Sequence, residues 1–207
     1  MRLLVFGATG RVGRSVVELA LAAGHDVTAF VRTPAKLNRS HERIHIEQGD
    51  ALDAAAVRAA MNTRFDAVIG ALGADPAKPS TVVQDSTRVI AEAMRATGQT
   101  RYLGVGALGL LPANWLGRMF VRLIGVTPLR HGLRDHTAAL EILRGSGLTW
   151  TLAAPPLITD AAPRGHYKVV AEFRGGLSSI AALDLADFLL RELEAQRYPN
   201  EPVGVWY

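Results

Sequence analysis

The 207-residue sequence contains no cysteine. Disulfides, thiolate nucleophiles and cysteine-based metal sites are therefore excluded. Long uninterrupted apolar runs are missing too. The most apolar stretch, Tyr102 to Val126, is broken by Pro112, Asn114, Arg118 and Arg122, so it does not read as a membrane span. Basic residues never cluster into a run. With 23 Lys and Arg against 19 Asp and Glu, the formal charge is only +4. That balance suits small anionic ligands such as phosphates better than a nucleic-acid duplex, so no nucleic-acid partner and no membrane partner are expected. There is no internal repeat and no low-complexity linker. The chain opens directly on an apolar strand pattern, which leaves no signal peptide ahead of the fold and implies a cytoplasmic location.

Apolar residues make up 49% of the chain, enough for one domain with a sizeable core. Strand and helix patterns alternate along it. Leu3 to Phe6 is a short continuous apolar run, the pattern of a strand covered on both faces. Arg11 to Ala23 then places Val12, Val16, Leu19 and Ala23 on one helical face, and Gly24 ends the helix. Further strands are predicted at Val27–Val31, Ile44–Glu47, Ala67–Ile69, Arg101–Val105 and Trp150–Ala154. Between them lie helices at Leu52–Met61, with Asp50 or Asp53 near the cap, at Thr81–Thr97 and at Leu133–Arg144. This order predicts an α/β fold: a Rossmann-like, doubly wound parallel sheet with helices on both faces. After Pro155-Pro156 the rhythm changes. Tyr167–Ala171 and Val203–Trp206 suit short strands, and Asp184–Leu193 suits a helix. Residues 155–207 are accordingly expected to form a small substrate-side lobe within a single domain spanning 1–207.

The turn between the first strand and helix reads Gly7-Ala8-Thr9-Gly10-Arg11-Val12-Gly13. Gly7 permits a tight turn, Gly10 lets backbone approach a pyrophosphate, and Gly13 lets the helix pack close to the strand. The free N–H groups and partial positive charge of the helix start complete an anion seat. Gly7, Ala8, Thr9, Gly10, Arg11, Val12 and Gly13 are therefore candidate residues for binding a nicotinamide dinucleotide. At the end of the second strand an acid would bind a ribose 2′-hydroxyl. The sequence there, Val31-Arg32-Thr33-Pro34-Ala35-Lys36, has none. Arg32 instead offers a planar fork for a 2′-phosphate, with Arg11 and Lys36 adding charge, so NADP is the expected cofactor. Asp50, with Ala51, follows the third strand and suits an adenine contact, a helix cap, or both. Leu72, Gly73, Gly106, Ala107 and Pro155 past the other strand ends, with Val83 in the helix Thr81–Thr97, complete the expected cofactor shell.

The G-x-x-G-x-x-G spacing resembles the short-chain reductases, and the resemblance extends along the chain. Val31-Arg32, Gly49-Asp50, Leu72-Gly73, Thr81-Val82-Val83, Asp135-His136, Ser146-Gly147-Leu148, Pro155-Pro156 and Asp184-Leu185 follow in order. The series resembles the biliverdin reductase B and flavin reductase family of atypical short-chain reductases, with an NmrA-like dinucleotide fold. That resemblance implies NADPH-dependent reduction of a flavin or another flat conjugated acceptor, such as a quinone or a biliverdin-like tetrapyrrole, by direct hydride transfer. It also implies that flavin is a substrate and not a prosthetic group, that no metal is bound, and that the protein is a monomer or weak homodimer. His136 matches a family histidine that lines the acceptor pocket, where it would orient or protonate the acceptor.

Two absences narrow the chemistry. None of the four tyrosines has a lysine four residues later, so alcohol and carbonyl chemistry by the Tyr-x-x-x-Lys route is unsupported. The family serine after the fifth strand is Ala107 here, and a further pocket histidine is Leu157, which makes the pocket more apolar. Both changes weaken the case for biliverdin, and the missing serine and missing Tyr-x-x-x-Lys suit a non-enzymatic NADP(H) sensor of the NmrA type, the alternative reading. His41 and His45 carry helical metal-ligand spacing but enter a strand, where i and i+4 lie far apart, and are read as surface. Trp115 to Arg122, apolar and basic, reads as a substrate flap or core-covering segment beside the cofactor, with a dimer face or a membrane-surface patch as the alternatives.

Overall fold

The computed structural model describes residues 1–37, 40–176 and 178–207. In chain order the elements are β1 (Arg2–Phe6), α1 (Arg11–Ala22), β2 (Asp26–Val31), β3 (Ile44–Gln48), α2 (Ala54–Ala60), β4 (Ala67–Gly70), α3 (Val82–Ala96) and β5 (Arg101–Val105). They continue with α4 (Trp115–Ile124), α5 (Arg130–Arg144), β6 (Thr149–Ala153), β7 (Ile158–Thr159), β8 (Lys168–Val170), β9 (Ile180–Ala181), α6 (Ala182–Ala195) and β10 (Glu201–Trp206).

Eight strands form one sheet in the order β3-β2-β1-β4-β5-β6-β10-β8. All its pairings are parallel except β10 with β8, which closes the far edge antiparallel. Leu3, Leu4, Val5 and Phe6 of β1 are fully buried, because helices cover both faces of the sheet. On one face Val12, Val16 and Ala20 of α1 pack with Leu185 and Leu189 of α6. On the other, Val57 of α2, Ile90 and Met94 of α3, and Leu140 and Leu143 of α5 form a second core. The strand order turns around at β1, which β2 flanks on one side and β4 on the other. Connections diverge there, and a crevice opens at the C-terminal ends of β1 and β4.

The C-terminal segment is more integrated than a small lobe. Its helix α6 covers one face of the sheet, and β10 pairs in register with β6 through Val203 and Ala153. Only the two-stranded β7-β9 sheet and its loops stand apart from the main sheet. The segment expected as a flap is the helix α4. Asn114 caps it by accepting from the Gly117 N–H at 2.9 Å, and Phe120 packs edge-on against Phe173 at 5.5 Å between ring centres. Its other face leaves Trp115, Leu116, Met119 and Leu123 exposed.

Candidate functional site

The glycine-rich turn sits at the crevice. Gly7 has φ +75°, and a Cβ there would lie 2.5 Å from the carbonyl oxygen of Ala71 just past β4. Both facts demand glycine. A Cβ at Gly13 would lie 2.1 Å from the Gly7 carbonyl oxygen, so the helix touches the strand backbone as the spacing required. Gly10 closes the turn, its N–H donating to Gly7 O at 2.8 Å. Gly10 is exposed, and no side chain of its own blocks the start of α1. The helix therefore presents unobstructed backbone to an anion, and the cradle fits a pyrophosphate. Ala8 and Val12 are buried beneath it, and Thr9 is half-buried.

Basic residues gather at the end of β2, and Arg14 is one of them. Arg32 and Lys36 are exposed there. Arg14, from α1, reaches over and donates to the Lys36 carbonyl at 3.4 Å. Arg11 takes the opposite course. Its guanidinium donates to the Ile158 carbonyl at 2.7 Å and pairs with Asp160 at 2.9 Å. Of the two, Arg14 is the arginine that touches the loop after β2. The spacing offered both residues on one helix, one turn apart, and only the packing shows which faces β2.

Asp53 caps α2, accepting from the N–H groups of Ala55 and Ala56 at 2.9 and 3.2 Å. Asp50 holds the Leu52 N–H at 3.0 Å with one carboxylate oxygen and stays exposed at the sheet edge beside buried Ala51. Its second oxygen suits an exocyclic amine.

On the other side of the crevice, Leu72, Val83, Val105 and His136 line a narrow cleft with Tyr102 and Thr87 at its floor. Gly73 stands open next to Leu72. Asp135 is buried and accepts from the N–H groups of Val83 and Gln84 at 3.1 and 2.8 Å. It thereby caps α3 from a different helix and anchors His136 beside that helix start. Burial lowers the His136 pKa from its ordinary value, against the opposing pull of Asp135. At neutral pH the imidazole is uncharged and acts as a hydrogen-bonding group. The Tyr102 phenol is pushed up to about 12 by burial, partly offset by its hydrogen bond with Thr87, and stays protonated. Tyr102 escapes sequence reading because it looks like any apolar residue of a buried strand.

Past β5, the Gly106 N–H donates to Ala153 O at 2.7 Å, and the Ala107 carbonyl accepts from Leu110 at 3.0 Å. Two of the four backbone groups of Gly106 and Ala107 are thus engaged within the protein. Pro155 is buried just past β6, and Leu157 beyond it is 60% exposed. His45 lies in β3, and the His41 ring accepts from the Arg43 N–H at 3.1 Å. Among the described residues no group of three His, Asp or Glu side chains is placed to hold a metal. None of the described helices is long and apolar enough to cross a membrane.

The profile of the NAD(P)H-binding family matches residues 7–196. The chain belongs to this family. Among its relatives, the Bacillus subtilis protein YwnB is 26% identical, over 97% of this chain and 96% of its own length. A Streptococcus pneumoniae structure described as an NADH-flavin reductase is 27% identical, with TM-score 0.76, and covers 100% of this chain and 99% of its own. ChuY, an anaerobilin reductase of Escherichia coli O157:H7, shares the fold with TM-score 0.80 at 22% identity, over 100% of this chain and 97% of its own. The architecture is therefore common to this chain and its neighbours.

Proposed function

We propose that the protein is an NADPH-dependent reductase of flavins or of a related flat conjugated acceptor. The observation that carries this reading is the character of the cleft beside the dinucleotide cradle. Leu72, Val83 and Val105 line it, and its one imidazole, His136, is held neutral by burial. It holds no Tyr-Lys pair for alcohol oxidation, and the side chains along it are mostly apolar. The Streptococcus pneumoniae neighbour described as an NADH-flavin reductase supports the same class. For the cofactor, the group Arg14, Arg32 and Lys36 favours a 2′-phosphate, and hence NADP over NAD.

When bound, the nicotinamide supplies hydride. The chain's own residues position it. The start of α1 would hold the pyrophosphate, Arg14 and Arg32 the 2′-phosphate, and Asp50 the adenine. Leu72 and Val83 keep water from the reacting faces. His136 orients the acceptor as a neutral hydrogen-bond partner. A flavin would take the hydride on one ring nitrogen and a single proton from water on another, so no acid of the protein is required.

The decisive experiment mixes purified protein with NADPH and FMN and follows absorbance at the nicotinamide band. Turnover well above the protein-free rate is expected. Tight NADP binding without oxidation of NADPH by FMN, FAD, quinones or biliverdin would overturn the reading and leave the sensor in its place.

A further inference from the structure

Arg11 opens α1, where the helix presents free N–H groups to an anion. Its guanidinium is nevertheless committed to the protein itself. Nη1 donates to the Ile158 carbonyl at 2.7 Å, and Nε pairs with Asp160 at 2.9 Å. Both partners belong to the segment that follows β6, three strands from β1 in the sheet. At ~4.8 Å per strand, that segment crosses about 14 Å of the C-terminal edge to meet α1. Its backbone is held on both sides of Asp160. Before it, Ile158 and Thr159 pair with β9. After it, the buried Asp184 carboxylate accepts from the N–H groups of Arg164 and Gly165 at 2.7 and 3.1 Å. The Arg11–Asp160 pair is the loose joint, with the two side chains 50% and 73% exposed.

We propose that Asp160 is a positioning residue for cofactor exchange. It draws the Arg11 guanidinium away from the pyrophosphate seat, and an incoming dinucleotide must take that guanidinium from it. The planar fork of arginine matches a phosphate as well as a carboxylate. A pyrophosphate carries two charges and lies against the α1 N–H groups, so it wins the exchange. Each binding event still breaks the Arg11–Asp160 attraction and leaves a carboxylate close to a bound anion. Both effects loosen the grip on the dinucleotide and speed release of the oxidised product. The inference rests on dinucleotide binding, which the family establishes, and not on the identity of the acceptor.

The test titrates NADP and NAD into the wild type, Asp160→Asn, Arg11→Gln and the double variant, with stopped-flow dissociation rates. Asn keeps a hydrogen-bonding oxygen but removes the charge. Asp160→Asn is expected to bind NADP about two- to fivefold tighter, the range that exposed ion pairs reach, with slower dissociation. Arg11→Gln is expected to weaken NADP and NAD alike, since both carry the pyrophosphate. In the Arg11→Gln background the gain from Asp160→Asn is expected to shrink to the part that direct repulsion supplies. Unchanged or weaker binding by Asp160→Asn overturns the proposal. So does a gain that persists in full without Arg11, because Asp160 would then act by direct repulsion alone. Absence of FMN turnover would count against the acceptor assignment and not against this one.

Discussion

The carboxylate of Asp135, on α5, accepts a hydrogen bond from the backbone N–H of Val83, in the first turn of α3, at 3.1 Å. It accepts a second from Gln84 at 2.8 Å. Thr81, the residue that precedes α3, makes no side-chain cap of its own. One buried acid thus does the capping for a neighbouring helix and fixes the position of His136 next to it. Asp135→Ala leaves two N–H groups without their acceptor. It is expected to lower stability by about 1–2 kcal/mol, read from the urea midpoint at unchanged m-value. Asp135→Asn keeps an acceptor oxygen and should lose less. Equal loss in both variants would mean that charge at the helix start outweighs the hydrogen bonds.

Cofactor choice is expected to follow Arg14 and Arg32. Replacing either by Ala should weaken NADP binding about tenfold, the cost of one charge-assisted contact to phosphate. NAD binding should hardly change. Calorimetric titration of both dinucleotides into both variants checks this. Parallel losses for NADP and NAD would contradict a role at the 2′-phosphate.

His136 and His25 make stability depend on pH in a defined direction. Burial lowers the folded-state pKa of both. The unfolded chain therefore takes up protons near the ordinary histidine value of about 6.5, while the folded chain does not. The unfolded state binds more protons in that window, so stability rises with pH through it and falls as the medium is acidified below about 6.5. Thermal midpoints between pH 7.5 and 5.5 should drop, and His136→Gln should flatten part of the slope. In turnover, His136→Ala should raise the acceptor KM more than it lowers kcat. A large fall in kcat at unchanged KM would make His136 an acid and not an orienting group.

Glu192 is expected to matter for stability and not for chemistry. It is buried with Arg101 at the N-terminal end of β5, away from the crevice edge. Its carboxylate pairs with Arg101 at 3.4 Å and accepts from the Tyr198 N–H at 2.9 Å. Nε and Nη1 of Arg101 have no hydrogen-bond partner among the described residues, so this charge is already sparsely satisfied. Glu192→Ala should cost about 3–5 kcal/mol, because a buried cation loses its counter-ion. Activity per folded molecule should stay the same. Glu192→Gln, which preserves the hydrogen bonds, should fall between the two.

The amino-acid sequence by itself determined the parts of this protein that depend on neighbours along the chain. The apolar run Leu3–Phe6, the helical stripe after Arg11 and the spacing of Gly7, Gly10 and Gly13 are local patterns. Local backbone conformation and close helix–strand contact enforce them. That is why the first strand–turn–helix and the family were legible, and why the absence of an acid after β2 pointed toward NADP. The tertiary structure alone decided what distant segments do to one another. It sent Arg11 to Asp160 and Arg14 to Lys36, although both arginines lie on the same helix. It used Asp135 to cap a helix 51 residues away from it. It also drew β10 and α6 into the main fold, where sequence rhythm suggested a lobe. Those outcomes depend on which faces meet when the sheet twists and its helices pack, and no spacing along the chain encodes that meeting.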